Sequence, residues 1–155
     1  MRDEARQNIL CVDDDEVVRC HLQSCLEEEF NVQCAEDGRG GLETLARGGV
    51  DWVILDYMLP DMTGGRFVIT ADKLGLHPNY LLLSSLELGP VRDTGLVDMG
   101  IQGSLEKPVD PGLLRRMLSR PVTDTHRNGR VEVGDYIAWI HSVERRSDKE
   151  TRGLR

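Results

Sequence analysis

Short apolar runs alternating with helix-length amphipathic stretches predict an α/β fold: a doubly wound, five-stranded parallel sheet, (βα)5, with a C-terminal helical extension. The strand-helix alternation repeats five times between residues 8 and 118. Val53-Ile54-Leu55 and Leu81-Leu82-Leu83 are apolar on successive residues, as strands covered on both faces must be. The 155 residues, 39% hydrophobic and 30% charged, supply one real core and are too few for two full domains.

The strands are expected at residues 8–12, 31–35, 52–55, 80–83 and 101–105, with the two consecutive apolar runs as central strands. The first helix is expected over 16–29, with Val17, Leu22, Cys25 and Leu26 on one face and Glu27, Glu28 and Glu29 in solvent. Gly38-Arg39-Gly40-Gly41 reads as the opening of a helix over 39–47, and a third helix is expected over 65–74. A weak helix over 91–99 carries Gly89, Pro90, Gly95 and Gly100 in or beside it, so most mobility is expected there. Asp110 before Pro111 is a start signal for a helix over 111–118: an Asp N-cap accepts orphan amides, and Pro is tolerated in the first turn. The pattern changes after Pro121, which divides the chain into a domain over 1–122, its core over 7–120, and a segment over 123–155. In that segment Tyr136, Ile137, Ile140 and Val143 recur at helical spacing behind Asp135 as N-cap. It is expected to be a linker and one amphipathic helix that docks back or associates with a partner, Trp139 favouring the latter.

Charge and cysteine usage exclude several functions. The formal charge is −8, which disfavours nucleic-acid binding by a basic face. The surplus is uneven: residues 1–123 carry a net −9 and residues 124–155 a net +1. No apolar run approaches the roughly 18 residues of a membrane helix, and the start Met-Arg-Asp-Glu-Ala-Arg-Gln lacks a signal-peptide apolar core, so a cytoplasmic location is expected. Cys11, Cys20, Cys25 and Cys34 form no C-x-x-C pair and accompany no His cluster. Neither zinc nor redox chemistry is indicated, and they are expected to act as small apolar fillers.

In an open parallel sheet the ligand site lies beyond the carboxyl ends of the strands. Those ends carry Asp13, Asp14 and Asp15, then Asp56, then Ser84 and Ser85, then Lys107-Pro108. Carboxylates gathered at one edge repel one another unless a cation sits among them, and an oxygen-only ligand set suits Mg²⁺. Asp56 ends a central strand, placed both to bind that ion and to attack an electrophilic phosphorus. Lys107 would pair with a carboxylate or phosphoryl oxygen, and the Ser84 hydroxyl would donate to another. The set is suited to holding a phosphoryl group.

The combination Ile9-Leu10-Cys11-Val12-Asp13-Asp14-Asp15, Val53-Ile54-Leu55-Asp56-Tyr57-Met58-Leu59-Pro60-Asp61-Met62-Thr63-Gly64, Leu83-Ser84-Ser85 and Glu106-Lys107-Pro108 resembles the CheY-like receiver domains of bacterial two-component response regulators. The motifs fall in order, 42 residues from Asp14 to Asp56, 28 from Asp56 to Ser84 and 23 from Ser84 to Lys107. The resemblance implies the flavodoxin-like version of the doubly wound fold. It further implies that Asp56 accepts a phosphoryl group from a sensor histidine kinase, a phosphotransfer protein or a small phosphodonor. Asp13 and Asp14 would be the acid pair, with Asp14, Asp56 and the Met58 backbone carbonyl holding Mg²⁺. Ser84 and Lys107 would contact the phosphoryl oxygens, Asp61 and Gly64 would serve the loop after Asp56, and Lys107-Pro108 would be cis.

The chain departs from the family pattern at Ser104, where Phe or Tyr is usual, which weakens the usual coupling of phosphorylation to the face around the last strand. Met58 and Leu86 fall on positions that tune the phosphoryl lifetime; both are apolar, and a long-lived phosphorylated state is expected. Ser85 keeps the phosphodonor's access open. The chain is expected to be no enzyme beyond self-phosphorylation and self-dephosphorylation, with a homodimer and a downstream protein or effector domain outside this chain as partners, and neither nucleic acid nor membrane. The competing reading is a receiver-fold adaptor that signals by protein binding without phosphorylation. An Asp-nucleophile phosphohydrolase would need a second Asp where Met58 stands, and a flavin site would need a phosphate-cradling loop.

Overall fold

A computed structural model describes residues 6–84 and 99–119. Five parallel strands, β1 (Asn8–Val12), β2 (Asn31–Ala35), β3 (Trp52–Asp56), β4 (Asn79–Ser84) and β5 (Ile101–Glu106), form one sheet in the order β2-β1-β3-β4-β5. Four helices are described: α1 (Glu16–Leu26), α2 (Gly38–Ala46), α3 (Gly64–Lys73) and α4 (Pro111–Leu118). The helix expected over 91–99 and the segment over 123–155 lie outside the described residues, apart from Met99.

The consecutive apolar runs follow from the two faces. Leu10, Val12, Val53, Leu55, Tyr80 and Leu82 point to one side, where α2 and α3 add Leu45, Phe67, Val68 and Ala71. Ile9, Cys11, Trp52, Ile54, Leu81 and Leu83 point to the other, where α1 and α4 add Leu22, Leu26, Leu114 and Leu118. Because strand side chains alternate between faces, a strand covered on both sides must be apolar at every step. β3 is so from Trp52 to Leu55, and all five of its residues, the terminal Asp56 included, are buried. The edge strands relax this demand: β2 keeps no fully buried residue, and Ser104 on β5 is exposed.

Each helix begins where a short polar side chain takes up its free amides. Asp15 accepts from Val17 N, Asp37 from Gly40 N, Thr63 from Arg66 N and Asp110 from Gly112 N. Asp61, from the loop after β3, accepts from Gly38 N at 2.8 Å and Arg39 N at 2.9 Å. Desolvation acts upward on its carboxyl, but the backbone amides of Gly38, Arg39 and Asp61 together outweigh it and hold the carboxyl below the usual range. The loop after β3 is thereby tied to the start of α2.

Three expectations need correction. Val17 does not share the buried face of α1; its side chain is 75% exposed. Residues 17 and 22 are five steps apart, about 140° around a helix of 3.6 residues per turn, and the packed stripe is Val18, Leu22, Cys25 and Leu26. α1 ends at Leu26 rather than at 29, because Phe30 packs on the core and its amide returns to Leu26 O, turning the chain into β2. Of the cysteines, Cys11 is buried and Cys25 half-buried against the core, while Cys20 and Cys34 are exposed, so the filler role does not hold for the last two. Smaller differences are one-residue C-terminal extensions of β3, β4 and β5 as the ladder runs on through Asp56, Ser84 and Glu106, an N-terminal one of β4 to Asn79, and one-residue shifts of α2 and α3 from the expected 39–47 and 65–74.

Gly41 sits where α2 presses on the sheet: a Cβ there would lie 2.9 Å from both Phe67 Cε2 and Val12 Cγ2. Ala is the better helix former, yet overpacking of this kind costs about 1–3 kcal/mol. Gly41→Ala is therefore expected to lower the unfolding free energy measured in urea by that amount, whereas Val17→Ser should change it by less than about 0.5 kcal/mol.

Candidate functional site

The parallel arrangement brings the carboxyl ends of β1, β3, β4 and β5 to one edge of the sheet. β1 pairs with β3 so that Val12 faces Leu55, which sets Asp13 beside Asp56 just past the ladder. β3 pairs with β4 so that Asp56 faces Leu83, placing Ser84 one step farther on the next strand. Ser84 in turn faces Glu106, and the Lys107 amide donates to Ser84 O at 3.0 Å.

One carboxylate oxygen from each of Asp13, Asp14 and Asp56 lies within 4.8 Å of the others. Asp13 and Asp56 are buried and Asp14 is exposed. The Lys107 ammonium reaches into the same place, 2.6 Å from Asp13 Oδ2 and 3.4 Å from Asp56 Oδ2. Asp13 is further fixed by Asp15 N, which donates to its Oδ1 at 2.9 Å, and its backbone carbonyl accepts from Arg19 at 2.8 Å. Met58 N donates to Asp56 Oδ1 at 3.3 Å, and the loop is closed by Leu59 N to Met62 O and Gly64 N to Tyr57 O. Gly64 is required there, since a Cβ would lie 3.0 Å from Tyr57 Cα. The Lys107-Pro108 bond is cis.

The electrostatics follow from burial and from charges of both signs. Desolvation first, and Asp13 second, push the Asp56 carboxyl up to about 6, with Lys107 and the Met58 amide opposing. Burial works against the Lys107 ammonium, but Asp13 and Asp56 outweigh it and hold its pKa above the ordinary value. Lys107 supplies one positive charge among three carboxylates. Oxygen donors of this number, carrying excess negative charge, fit a hard divalent ion.

The structure thus joins Asp13, Asp14, Asp56 and Lys107 directly, with Ser84 and the Met58 backbone on the strand and loop beside them. Asp15 does not join the cluster: its side chain caps α1. Asp61, expected to serve the loop after Asp56, ties that loop to α2 through Gly38 N and Arg39 N. Arg19 was not legible as a support: it acts on the Asp13 backbone carbonyl, and no residue-type motif marks such a contact. Among the described residues, no helix is long and apolar enough to cross a membrane.

The chain is similar to known proteins in sequence and in fold. The chain is 30% identical over 149 residues to the uncharacterized transcriptional regulatory protein YkoG of Bacillus subtilis, a match covering 96% of this chain and 63% of that relative's length. Its fold is similar to the chemotaxis protein CheY4 of Vibrio cholerae, with a TM-score of 0.67 at 29% identity over 75% of this chain and 98% of that one. It is also similar to the response regulator protein TrrA of Thermotoga maritima, solved in complex with Mg²⁺-BeF, with a TM-score of 0.62 at 26% identity over 72% and 96% of the two chains. Residues 9–119 match the family of response regulator receiver domains. Five parallel strands in this order, with an acidic cluster and a lysine at their carboxyl ends, make this chain a member of that family.

Proposed function

We propose that this domain is a phosphoacceptor switch in which Asp56 takes a phosphoryl group from a sensor histidine kinase or phosphotransfer protein and alters contacts with a downstream protein or effector domain. The observation that carries this reading is the convergence of Asp13, Asp14, Asp56 and Lys107 within hydrogen-bonding and ligating reach. The Mg²⁺-BeF complex of the similar TrrA supports it.

In transfer, an Asp56 carboxylate oxygen attacks phosphorus, a P–O bond forms, and the P–N bond to the donor imidazole breaks, leaving an acyl phosphate. Asp13, Asp14, Asp56 and the Met58 backbone carbonyl would hold Mg²⁺, which when bound offsets the negative charge of acceptor and phosphoryl group. Lys107 donates to a phosphoryl oxygen, exchanging part of its pairing with Asp13, and the Ser84 hydroxyl donates to another. The domain catalyses only its own phosphorylation and dephosphorylation, in the cytoplasm. The second reading, an adaptor signalling by protein binding alone, is favoured by one observation: Ser104, at the position usually aromatic, is exposed on the edge strand.

Three measurements test these readings. Acetyl phosphate with Mg²⁺ should add one phosphoryl mass to the intact chain, lost in Asp56→Asn and blocked by EDTA; no mass gain overturns the phosphoacceptor reading. Beryllofluoride should then change oligomeric state or surface mobility, whereas binding with no change elsewhere favours the adaptor. Met58, 38% exposed beside Asp56, presents an apolar surface to attacking water, so the phosphorylated state should outlast minutes, and loss within seconds would contradict this.

A fourth test is of pH. Native Asp56 keeps its proton to about 6, whereas in the unfolded chain it loses it near 3.9. Native protein therefore binds more protons than unfolded protein between these values, and stability falls as pH rises from about 4 to about 6. A shift of about two units corresponds to about 2–3 kcal/mol. Without metal, Asp56→Asn should raise the unfolding free energy by about that amount at pH 8 and change it little at pH 4; equal effects at both would show that burial does not set this carboxyl.

A further inference from the structure

We propose that Cys34 and Cys11 form a peroxide-responsive thiol pair, Cys34 the attacking and Cys11 the resolving sulfur, that closes to a disulfide between β1 and β2. The two residues face one another in register on adjacent parallel strands. Neighbouring strands lie about 4.7–4.9 Å apart, inside the roughly 4.4–6.8 Å that Cα atoms of a disulfide span. In-register partners project to the same face, so both thiols sit on the α1 side of the sheet. β2 is an edge strand bonded on one side only, which leaves it free to adjust as the bond forms.

The two sulfurs differ in the way such a pair needs. Cys34 is exposed, in the wall of an open cavity of about 620 Å³ lined also by Arg19, Asp37, Arg39 and Glu43. Cys11 is wholly buried, so an oxidant in solution reaches Cys34 first. Interaction with the Cys11 thiol is the largest influence on Cys34 and lowers it; partial burial opposes, the Arg19 guanidinium assists, and the result is about 7. About half of Cys34 is then thiolate at neutral pH, against about 3% for an ordinary thiol near 8.5.

The chemistry balances with one peroxide. The Cys34 thiolate attacks a peroxide oxygen, the O–O bond breaks and hydroxide leaves, giving a sulfenic acid. The Cys11 sulfur attacks the Cys34 sulfur, the S–O bond breaks, and the departing hydroxide takes the Cys11 proton to become water, while the proton Cys34 lost on ionising neutralises the hydroxide of the first step. Two thiols are oxidised and one peroxide is reduced to two waters.

The test uses the full chain and hydrogen peroxide, with the remaining thiols alkylated before cleavage after glutamate. That cleavage separates residues 5–16, 17–27 and 30–36, carrying Cys11, Cys20 with Cys25, and Cys34. The expected result is a cross-linked pair of the 5–16 and 30–36 peptides, with Cys34 consumed about tenfold faster than Cys20 and half-maximal reactivity near pH 7. Cys34→Ser, at an exposed position, should abolish the cross-link and leave Cys11 reduced; Cys11→Ala should stop Cys34 at a sulfenic acid trapped by dimedone. Oxidation of Cys20 before Cys34, a cross-link through Cys20 or Cys25, or over-oxidation of Cys34 with Cys11 still free would each overturn the proposal.

Discussion

Three carboxylates crowded at the end of a buried sheet are the constraint on which the rest of the site depends. Asp13 and Asp56 have lost most of their water, and like charges at this range in a low-dielectric setting strongly disfavour joint ionisation. Lys107 relieves part of that repulsion, at 2.6 Å from Asp13 and 3.4 Å from Asp56. Removing one partner of a buried ion pair is far more costly than replacing both, so loss of Lys107 alone would leave the buried Asp13 charge uncompensated. The residual negative charge is what would favour a hard cation there under the phosphoacceptor reading.

The sheet is what makes this crowding sustainable. Parallel strands carry all their carboxyl ends to one edge, and the register of β1 against β3 and β3 against β4 sets the lateral positions of Asp13, Asp56 and Ser84 to within one residue step. A slip of one residue would turn every side chain to the opposite face. The two separate hydrophobic clusters penalise that slip at once, since both faces of β1, β3 and β4 are committed to packing. The precision of the polar site is thus inherited from the apolar periodicity of the strands.

Much of this was legible in the residues. Val53-Ile54-Leu55 before Asp56 reads as a central strand because only burial on both faces rewards such a run, and the carboxyl-end rule then gathers Asp13, Asp14, Asp56, Ser84 and Lys107 without further information. Capping by Asp110 was legible for the same local reason. Val17 was misjudged because an apolar residue at the start of a helix is compatible with either face until the stripe through Val18, Leu22 and Leu26 is fixed. The pairing of Cys11 with Cys34 was invisible, since 23 residues separate them and strand register is a tertiary property. Composition alone could call both apolar fillers, and only the sheet shows that one is buried and the other is at the edge.

The supports of the site are unequal, and the inequality bears on how a switch here would work. Asp13 is held by Asp15 N and by Arg19, and the loop after Asp56 is pinned at both ends, by Asp61 to α2 and by Thr63 to α3. Displacing either segment breaks several hydrogen bonds together, each worth about 1 kcal/mol and more where a charge is involved. Under the phosphoacceptor reading, the groups that must meet the added oxygens are therefore Ser84, at the end of β4, and Lys107, just past β5. β5 is an edge strand with Gly103 half-buried and Ser104 exposed, so it carries less packing to resist a shift than β1 or β3. A rearrangement driven by charge at Asp56 would accordingly leave α1, α2 and α3 in place and propagate along the β4–β5 side of the sheet.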